Sequence, residues 1–279
     1  MLKTLQIIMD CDPRPSEILV HIDVGDEMTE EKVSRVFPSV KIYQSAMRRG
    51  PGGGRNILIK EAKHDIVASF DDDSYPLDKD YFARLSAIIA RYPQAAVIAS
   101  AIVHRGEKIP EDHQAICMAV SFVGCGAALR KNDFREAGGY VALPWAYGME
   151  ETDLVLRLMA HGKMIYFCPW LRVFHDTDLS HHASAEINAA AISNIALLAF
   201  LRYPVRYMPY AGLQVLNRVF WSVKAGRFQG IMKGLFNIPG CLWRYRKLRS
   251  PISTNIFNNV LHTIRQGNKR LEPIKSRTL

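Results

Sequence analysis

Short apolar runs separated by polar turns recur through the first two thirds of the chain. Ile18-Leu-Val-His-Ile-Asp-Val24 is rich in β-formers and ends at Gly25-Asp26, which predicts a strand followed by a loop. Thr29–Val36 reads as a short helix with Thr29 as its N-cap, and Val40–Tyr43 as a second strand. Gly50-Pro51-Gly52-Gly53-Gly54 predicts a loop leading into a helix over Asn56–Ala62. Ile66–Phe70 is a continuous apolar run, a buried strand that passes directly into Asp71-Asp72-Asp73. An amphipathic helix follows over Leu77–Arg91, then strands over Ala96–Val103 and Ile116–Val123. Thr152–Ala160 is helical, with Leu154 and Leu158 on one face, and Met164–Phe167 and Arg172–Phe174 are short strands. Beyond about residue 183 the spacing is helical throughout. Strands alternating with helices predict an α/β domain with a mostly parallel sheet over residues 1–182, followed by a helical extension over 183–279.

Composition narrows the class. The 279 residues are 48% hydrophobic, enough for a real core and unlike a disordered or collagen-like chain. Charge is uneven. From Phe200 onward 15 Lys/Arg face a single acid, Glu272, whereas the preceding residues hold 21 Lys/Arg against 26 acids. An acidic body with a basic tail is the pattern to be explained. Five cysteines at irregular spacing, with no C-x-x-C pair, exclude a zinc ribbon or a disulfide framework and read as reduced, buried thiols. No basic segment leads into an apolar run at the N-terminus, so no signal peptide is expected. The longest apolar stretch, Ile187–Leu201, is broken by Asn188, Ser193 and Asn194 and reads as a buried or interfacial helix.

Two acidic clusters carry the candidate chemistry. Asp71-Asp72-Asp73 sits at the end of a predicted strand, where open α/β sheets bind ligands. In an extended segment Asp71 and Asp73 point the same way, and two hard oxygen ligands on one side suit Mg²⁺ or Mn²⁺. The same residues also fit a solvated acidic turn ahead of a helix. Glu150-Glu151-Thr152-Asp153 opens a predicted helix, where acids favour the first turn through the macrodipole. Asp153 fits that structural role. Glu150 and Glu151 follow Tyr147-Gly148 and aromatic neighbours, a setting for a carboxylate base facing a bound hydroxyl compound.

Taken in order, four segments resemble the inverting family 2 glycosyltransferases with the GT-A fold. Pro15-Ser-Glu-Ile-Leu-Val-His-Ile-Asp23 is similar to the family's "EIIVVDDGS" strand. Gly54-Arg55-Asn56, with Ala62-Lys-His-Asp65 running to Asp71-Asp72-Asp73, is similar to "ARN…A.GD.I.FLDDD". Ala137-Gly138-Gly139-Tyr140 is similar to "GGF", and Glu150-Glu151-Thr152-Asp153-Leu154 through Arg157, Gly162, Pro169 and His175 to "EDTDL..RL...G…P…V.H". The match spans roughly residues 15–176. Each piece is weak alone; four in order are specific.

The resemblance implies a nucleotide-diphosphate sugar donor, a glycan or lipid-linked hydroxyl acceptor, transfer with inversion, and a role in cell-surface polysaccharide synthesis. By similarity Asp23 contacts the nucleotide base, and Arg55 and Asp72 line the nucleotide-sugar site. Asp71 and Asp73 form the D-x-D pair: Asp73 binds Mn²⁺ or Mg²⁺ with His175, and Asp71 stands near the ribose of the nucleotide sugar or the metal. For Arg55 a plain helix start, and for His175 an ordinary strand-end histidine, remain alternative readings. Glu151 occupies the base position, usually aspartate, and Glu150 holds the acceptor; the extra methylene leaves either able to be the base.

The family normally opens with a strand ending in a P-T-Y-N-like segment. Met1-Leu-Lys-Thr-Leu-Gln-Ile-Ile-Met9 instead resembles the helix that follows that strand. The expectation is a reading frame that starts upstream, with a shortened, inactive member as the alternative. A nucleotidyltransferase is the other enzyme class that shares an acidic metal pair on an α/β sheet. The tail, with basic residues interleaved with Tyr203, Tyr207, Tyr210, Phe220, Trp221, Phe228, Trp243 and Tyr245, suits an anionic membrane surface better than nucleic acid. That predicts a cytoplasmic enzyme, peripheral on the inner face of the cell membrane.

Overall fold

The computed structural model describes residues 1–112, 114–143, 149–177 and 184–266. The chain opens with α1 (Leu2–Met9) and a small parallel pair, β1 (Leu19–Ile22) and β2 (Lys41–Gln44), joined by α2 (Glu27–Val36). Asp26, not Thr29, caps α2: its carboxylate accepts from the Thr29 amide at 3.1 Å and the Thr29 hydroxyl at 2.6 Å. Leu5 of α1, Val20 and Ile22 of β1, and Val33 of α2 bury one another in a local core.

The main sheet is assembled from β3 (Ile66–Ser69), β4 (Ser74–Pro76), β5 (Ala95–Val103), β6 (Cys117–Ala119), β7 (Ala127–Arg130) and β8 (Met164–His175). Its strand order is β3-β7-β5-β8-β4, with β6 also on β8. The α/β class holds, but the sheet is mixed rather than mostly parallel. β5 and β8 run parallel, and the other described pairings of this sheet are antiparallel. Among the described residues no α-helix lies between β5 and β7, only a short 3-10 turn at Gly124–Gly126, and β7 returns alongside β5 in the opposite direction.

Helices cover both faces. α3 (Gly50–Glu61), α5 (Lys131–Glu136) and α6 (Glu150–Ala160) pack Ile59, Phe134, Leu154 and Leu158 onto Val97, Ala99 and Leu129. α4 (Tyr81–Arg91) packs Tyr81, Leu85 and Ile88 onto Ile98, Ala128 and Val173. The alternation of Val97 and Ile98 between the two cores is the period-two signature of a strand covered on both sides. β8 is one strand of 12 residues rather than two short ones. Pro169 falls within a register shift, between Cys168 and Arg172, where a missing amide is tolerated. The predicted Ile116–Val123 strand shortens to β6, and the Leu77–Arg91 helix begins only at Tyr81.

The extension is helical: α7 (Ala185–Arg202), α8 (Met208–Lys224), α9 (Ile231–Tyr245) and α10 (Thr254–Gln266). The expected boundary at residue 182 lies outside the described residues. α7 has the length and hydropathy of a membrane span, but 67% of it is buried inside the protein. Its Leu197, Leu198 and Leu201, with Phe257 and Val260 of α10, close over Leu143, Met149 and Leu156.

One charged group ties this extension to the body. Asp153 of α6 is fully buried and accepts from Arg157 at 2.8 and 2.5 Å and from Arg202 of α7 at 2.6 Å. Arg202 also donates to the carbonyl of Leu248 at 2.9 Å. Thus Asp153 does more than favour a helix start. Asp153→Ala leaves two buried guanidinium groups without their carboxylate and should cost about 3–5 kcal/mol, measured by urea unfolding. Asp153→Asn, which keeps an acceptor oxygen, should cost less.

Candidate active site

The acidic triplet links β3 to β4, and a buried serine sets its shape. Ser74 accepts from the Asp71 amide at 2.6 Å and donates to the carbonyl of Cys125 at 3.0 Å. Pairing of β4 with β8 puts Ser74 opposite His175. The His175 ring nitrogen then lies 3.2 Å from an Asp73 oxygen, and the donor atoms of Asp71, Cys125 and His175 lie within 4.8 Å of one another. Asp72 is exposed, and its carbonyl accepts from the Thr4 hydroxyl at 2.7 Å. His175 therefore lies within reach of Asp71 on one side and of Asp73 on the other, whereas the Asp72 carboxylate is not among these donors.

Two carboxylates and an imidazole on one rim suit Mn²⁺ or Mg²⁺ with room left for substrate oxygens. Cys125 also lines the rim, unanticipated from the sequence. Burial, reinforced by Asp71 and Asp73 and opposed by Arg55, pushes its thiol up to about 12. A protonated, soft sulfur is a poor ligand for a hard cation, so the fitting donors are the other three.

Arg55 connects this rim to the second acidic cluster. It is 9% exposed, donates to Ser69 at 2.9 Å and forms an ion pair with Asp71. Burial alone would lower its pKa, but Asp71, Tyr140, Glu151 and Glu150 together raise it. The glycine run expected to form a loop is instead the first half of α3. A Cβ at Gly52 would stand 2.5 Å from Glu150 Oε1, and one at Gly54 would stand 2.6 Å from the His21 ring. These glycines are spacers that let α3 approach the site and β1.

Glu150 and Glu151 open α6, but their surroundings differ. Glu150 is 3% exposed, and burial and the charge of Glu151 push it up to about 8. Arg55 and the amides of Leu143 and Gly52 oppose that rise. One Glu150 oxygen and the Tyr140 hydroxyl are buried with no hydrogen-bond partner among the described residues. Glu151 is partly exposed and shares the space above Gly124 with Arg55: a Cβ there would lie 2.9 Å from each. The aromatic segment over residues 144–148, which the sequence put before Glu150, lies outside the described residues.

Tyr140 and Gly124 had no role assigned from the sequence. Tyr140 is held by Asn56, whose side chain donates to the Tyr140 carbonyl at 2.9 Å and accepts from its amide at 2.8 Å. Gly139 precedes it at φ 69°, in the left-handed region that disfavours a side chain. The Gly-Gly-Tyr pattern was the available signal for this corner.

Asp23 stands at the end of β1. Its carboxylate accepts from the amides of Arg49 at 2.9 and 3.0 Å and of Gly50 at 3.0 Å, at the N-terminus of α3. Burial pushes Asp23 up, but the amides of Arg49, Gly50 and Val24 outweigh it and hold the carboxyl below its ordinary value.

A search of curated proteins finds no match. Solved structures do match. GalNAc-T7 with UDP, GalNAc and Mn²⁺ has a TM-score of 0.62 at 13% identity, covering 96% of this chain but only 55% of its own. The mannosyltransferase PcManGT from Pyrobaculum calidifontis, in complex with GDP-Man and Mn²⁺, has a TM-score of 0.58 at 15% identity over 95% of this chain and 75% of its own. Residues 1–349 of S. aureus TarS with UDP-GlcNAc give 0.59 at 15% identity over 99% and 91%. At such identities these likenesses speak for the fold. The model for the N-terminal domain of galactosyltransferase matches residues 117–182, and that for glycosyl transferase family 2 matches residues 3–143, half of the chain. The chain belongs to glycosyl transferase family 2 and has the GT-A fold of that family.

Proposed function

We propose that this protein transfers a sugar, with inversion, from a nucleotide-diphosphate sugar to a hydroxyl of a glycan or lipid-linked acceptor. We place it in cell-surface polysaccharide synthesis, on the cytoplasmic face of the membrane. One observation carries the reading: Asp71, which lies within reach of His175, and a base-type pair, Glu150 and Glu151, flank one buried guanidinium, Arg55, while His175 also meets Asp73. The UDP, GDP-Man and Mn²⁺ bound in the solved relatives support donor and cation.

Asp71, Asp73 and His175 would hold Mn²⁺ or Mg²⁺, which when bound neutralises the leaving diphosphate. Arg55 fixes the orientation of Asp71 and carries positive charge between the two carboxylate groups. By the family resemblance, Asp23 would contact the nucleotide base and Asp72 would line the nucleotide-sugar site. On the acceptor side the two glutamates divide the work. Glu150, pushed up to about 8, is mostly protonated at pH 7 and can donate a hydrogen bond from the one oxygen without a partner among the described residues. Glu151, partly exposed, takes the acceptor proton. The acceptor oxygen bonds to the anomeric carbon from the face opposite the diphosphate. The bond to the diphosphate breaks, and its electron pair leaves with that group. A single displacement without a covalent sugar–enzyme intermediate inverts the centre.

Glu151→Gln and Asp73→Asn should each abolish nucleoside diphosphate release, assayed over a panel of nucleotide sugars with Mn²⁺, while leaving the circular dichroism unchanged. Near wild-type turnover in both variants would sink the assignment. Retention of the donor's anomeric configuration, read by NMR, would remove the inverting mechanism.

The pKa of Glu150 gives a separate test. A carboxyl raised from 4.5 to about 8 stabilises the fold fully below pH 4.5, and that contribution is lost as the pH rises through 8. Wild-type stability should therefore fall by a few kcal/mol, roughly, across this window in urea unfolding. In Glu150→Gln that slope should flatten.

A further inference from the structure

α8 and α9 share an unusual surface. Both pack on α7, and their described buried residues are only Ala211 and Ser222 of α8 and Gly234 of α9. The attachment is specific. Asn188 of α7 donates to the carbonyls of Arg227 and Gln229 at 2.8 and 2.9 Å and accepts from Ser222 at 2.8 Å. A Cβ at Gly234 would stand 2.8 Å from the Ala189 carbonyl. The helices are therefore seated closely, and their outward sides are determined.

Those outward sides are apolar. On α8, Leu213, Leu216 and Phe220 are 63%, 63% and 66% exposed; on α9, Met232, Phe236 and Trp243 are 60%, 77% and 68% exposed. With Val223 and Pro239, also exposed, they fall at i, i+3, i+7, i+10 on α8 and at i, i+4, i+7, i+11 on α9, one stripe along each helix. Phe228, 65% exposed, lies in the turn between them. Basic groups border the stripes. The Arg218 and Arg227 guanidinium groups lie 4.5 and 5.0 Å from the Trp221 ring centre, and that of Arg246 lies 4.2 Å from the Trp243 ring centre. No acid occurs between Phe200 and Glu272.

We propose that the outward faces of α8 and α9 seat this protein on an anionic lipid bilayer, with the apolar stripes below the headgroups and the Lys and Arg side chains among them. Charge selects this occupant. A second copy would bring basic face against basic face, and Glu186 of α7, the acid beside them, is already paired with Lys233 at 3.7 Å. Nucleic acid would use the basic and aromatic groups but would leave the Leu213, Leu216 and Val223 stripe in water. An interfacial amphipathic helix uses both sets at once. α7 is not the membrane element, because its surface is consumed by α8, α9 and the body.

The surface also adjoins the acceptor side. The inward face of α9 sets Cys241, Leu242 and Tyr245 against the core that holds Val141, Leu143 and Met149, and Tyr245 donates to the Ala142 carbonyl at 3.3 Å. These residues lead into Glu150. On the transferase reading above, a bilayer under α9 would present a lipid-borne hydroxyl near the proposed base.

Co-sedimentation of the full chain with vesicles tests the proposal without donor or acceptor, so its failure would leave the transferase reading intact. Binding is expected to phosphatidylcholine vesicles containing phosphatidylglycerol, weakening with added salt, and to be far weaker with phosphatidylcholine alone. Phe236→Ser with Trp243→Ser should cut the partition coefficient at least about tenfold. Lys224→Gln with Lys233→Gln should cut it severalfold, roughly, and flatten the salt dependence. Glu151→Gln should bind as wild type does. Absence of binding to anionic vesicles would overturn the proposal, as would binding indifferent to Phe236→Ser/Trp243→Ser. So would a dimer in sedimentation velocity that the same variant dissociates.

Discussion

A buried guanidinium holds the acidic halves of this site together. Carboxylates brought this close repel one another, and the repulsion grows as water is excluded. Arg55 lies between them with 9% of its surface exposed, paired to Asp71 and within the field of Glu150 and Glu151. Much of the surrounding architecture is what that placement requires. α3 must lie close enough to deliver Arg55 under the sheet edge, which needs glycine at 52 and 54. The turn before β7 must leave space for the guanidinium and for Glu151, which needs glycine at 124. Ser69 supplies the further acceptor that a buried arginine demands.

The same requirement explains where the sequence could be read and where it could not. Strand alternation does not relate Asp71 to Asp73, because Asp72 and Asp73 lie in a turn closed by the Ser74 amide on the Asp71 carbonyl at 3.1 Å rather than in an extended segment. The partnership of Asp73 with His175 is long-range, and a motif in order was its available signal. The glycine run was misread for a definite reason. Glycine costs a helix about 1 kcal/mol per residue relative to alanine, so three in succession argue for a loop. The helix nonetheless carries glycine there, because its close approach to Glu150 at Gly52 and to His21 at Gly54 leaves no room for side chains. β7 was missed because Ala127-Ala-Leu-Arg130 lacks β-branched residues; it is a strand because it fills the slot between β3 and β5.

Asp153 shows a helix-start acid recruited to hold distant parts together. Its position in the first turn of α6 is favourable on local grounds. The two arginines that meet it come from one turn further along α6 and from the end of α7. A group that ties the extension to α6 also ties it to Glu150 and Glu151, which start the same helix. The helical extension is thus part of what orients the proposed base.

The two glutamates illustrate how burial separates groups that the chain makes neighbours. Successive helical residues point about 100° apart, so Glu150 turns toward Gly52 and Glu151 toward Gly124. In the first direction the carboxyl is buried, and burial pushes its pKa up to about 8. In the second direction solvent reaches the carboxylate. On the proposed function, chemistry at a hydroxyl acceptor would use both states, one group to donate a hydrogen bond and one to accept the proton. A sequence presents the pair as interchangeable, because their side chains are identical. Their difference comes from what lies over each of them, a helix that glycine brings close on one side and an open rim on the other.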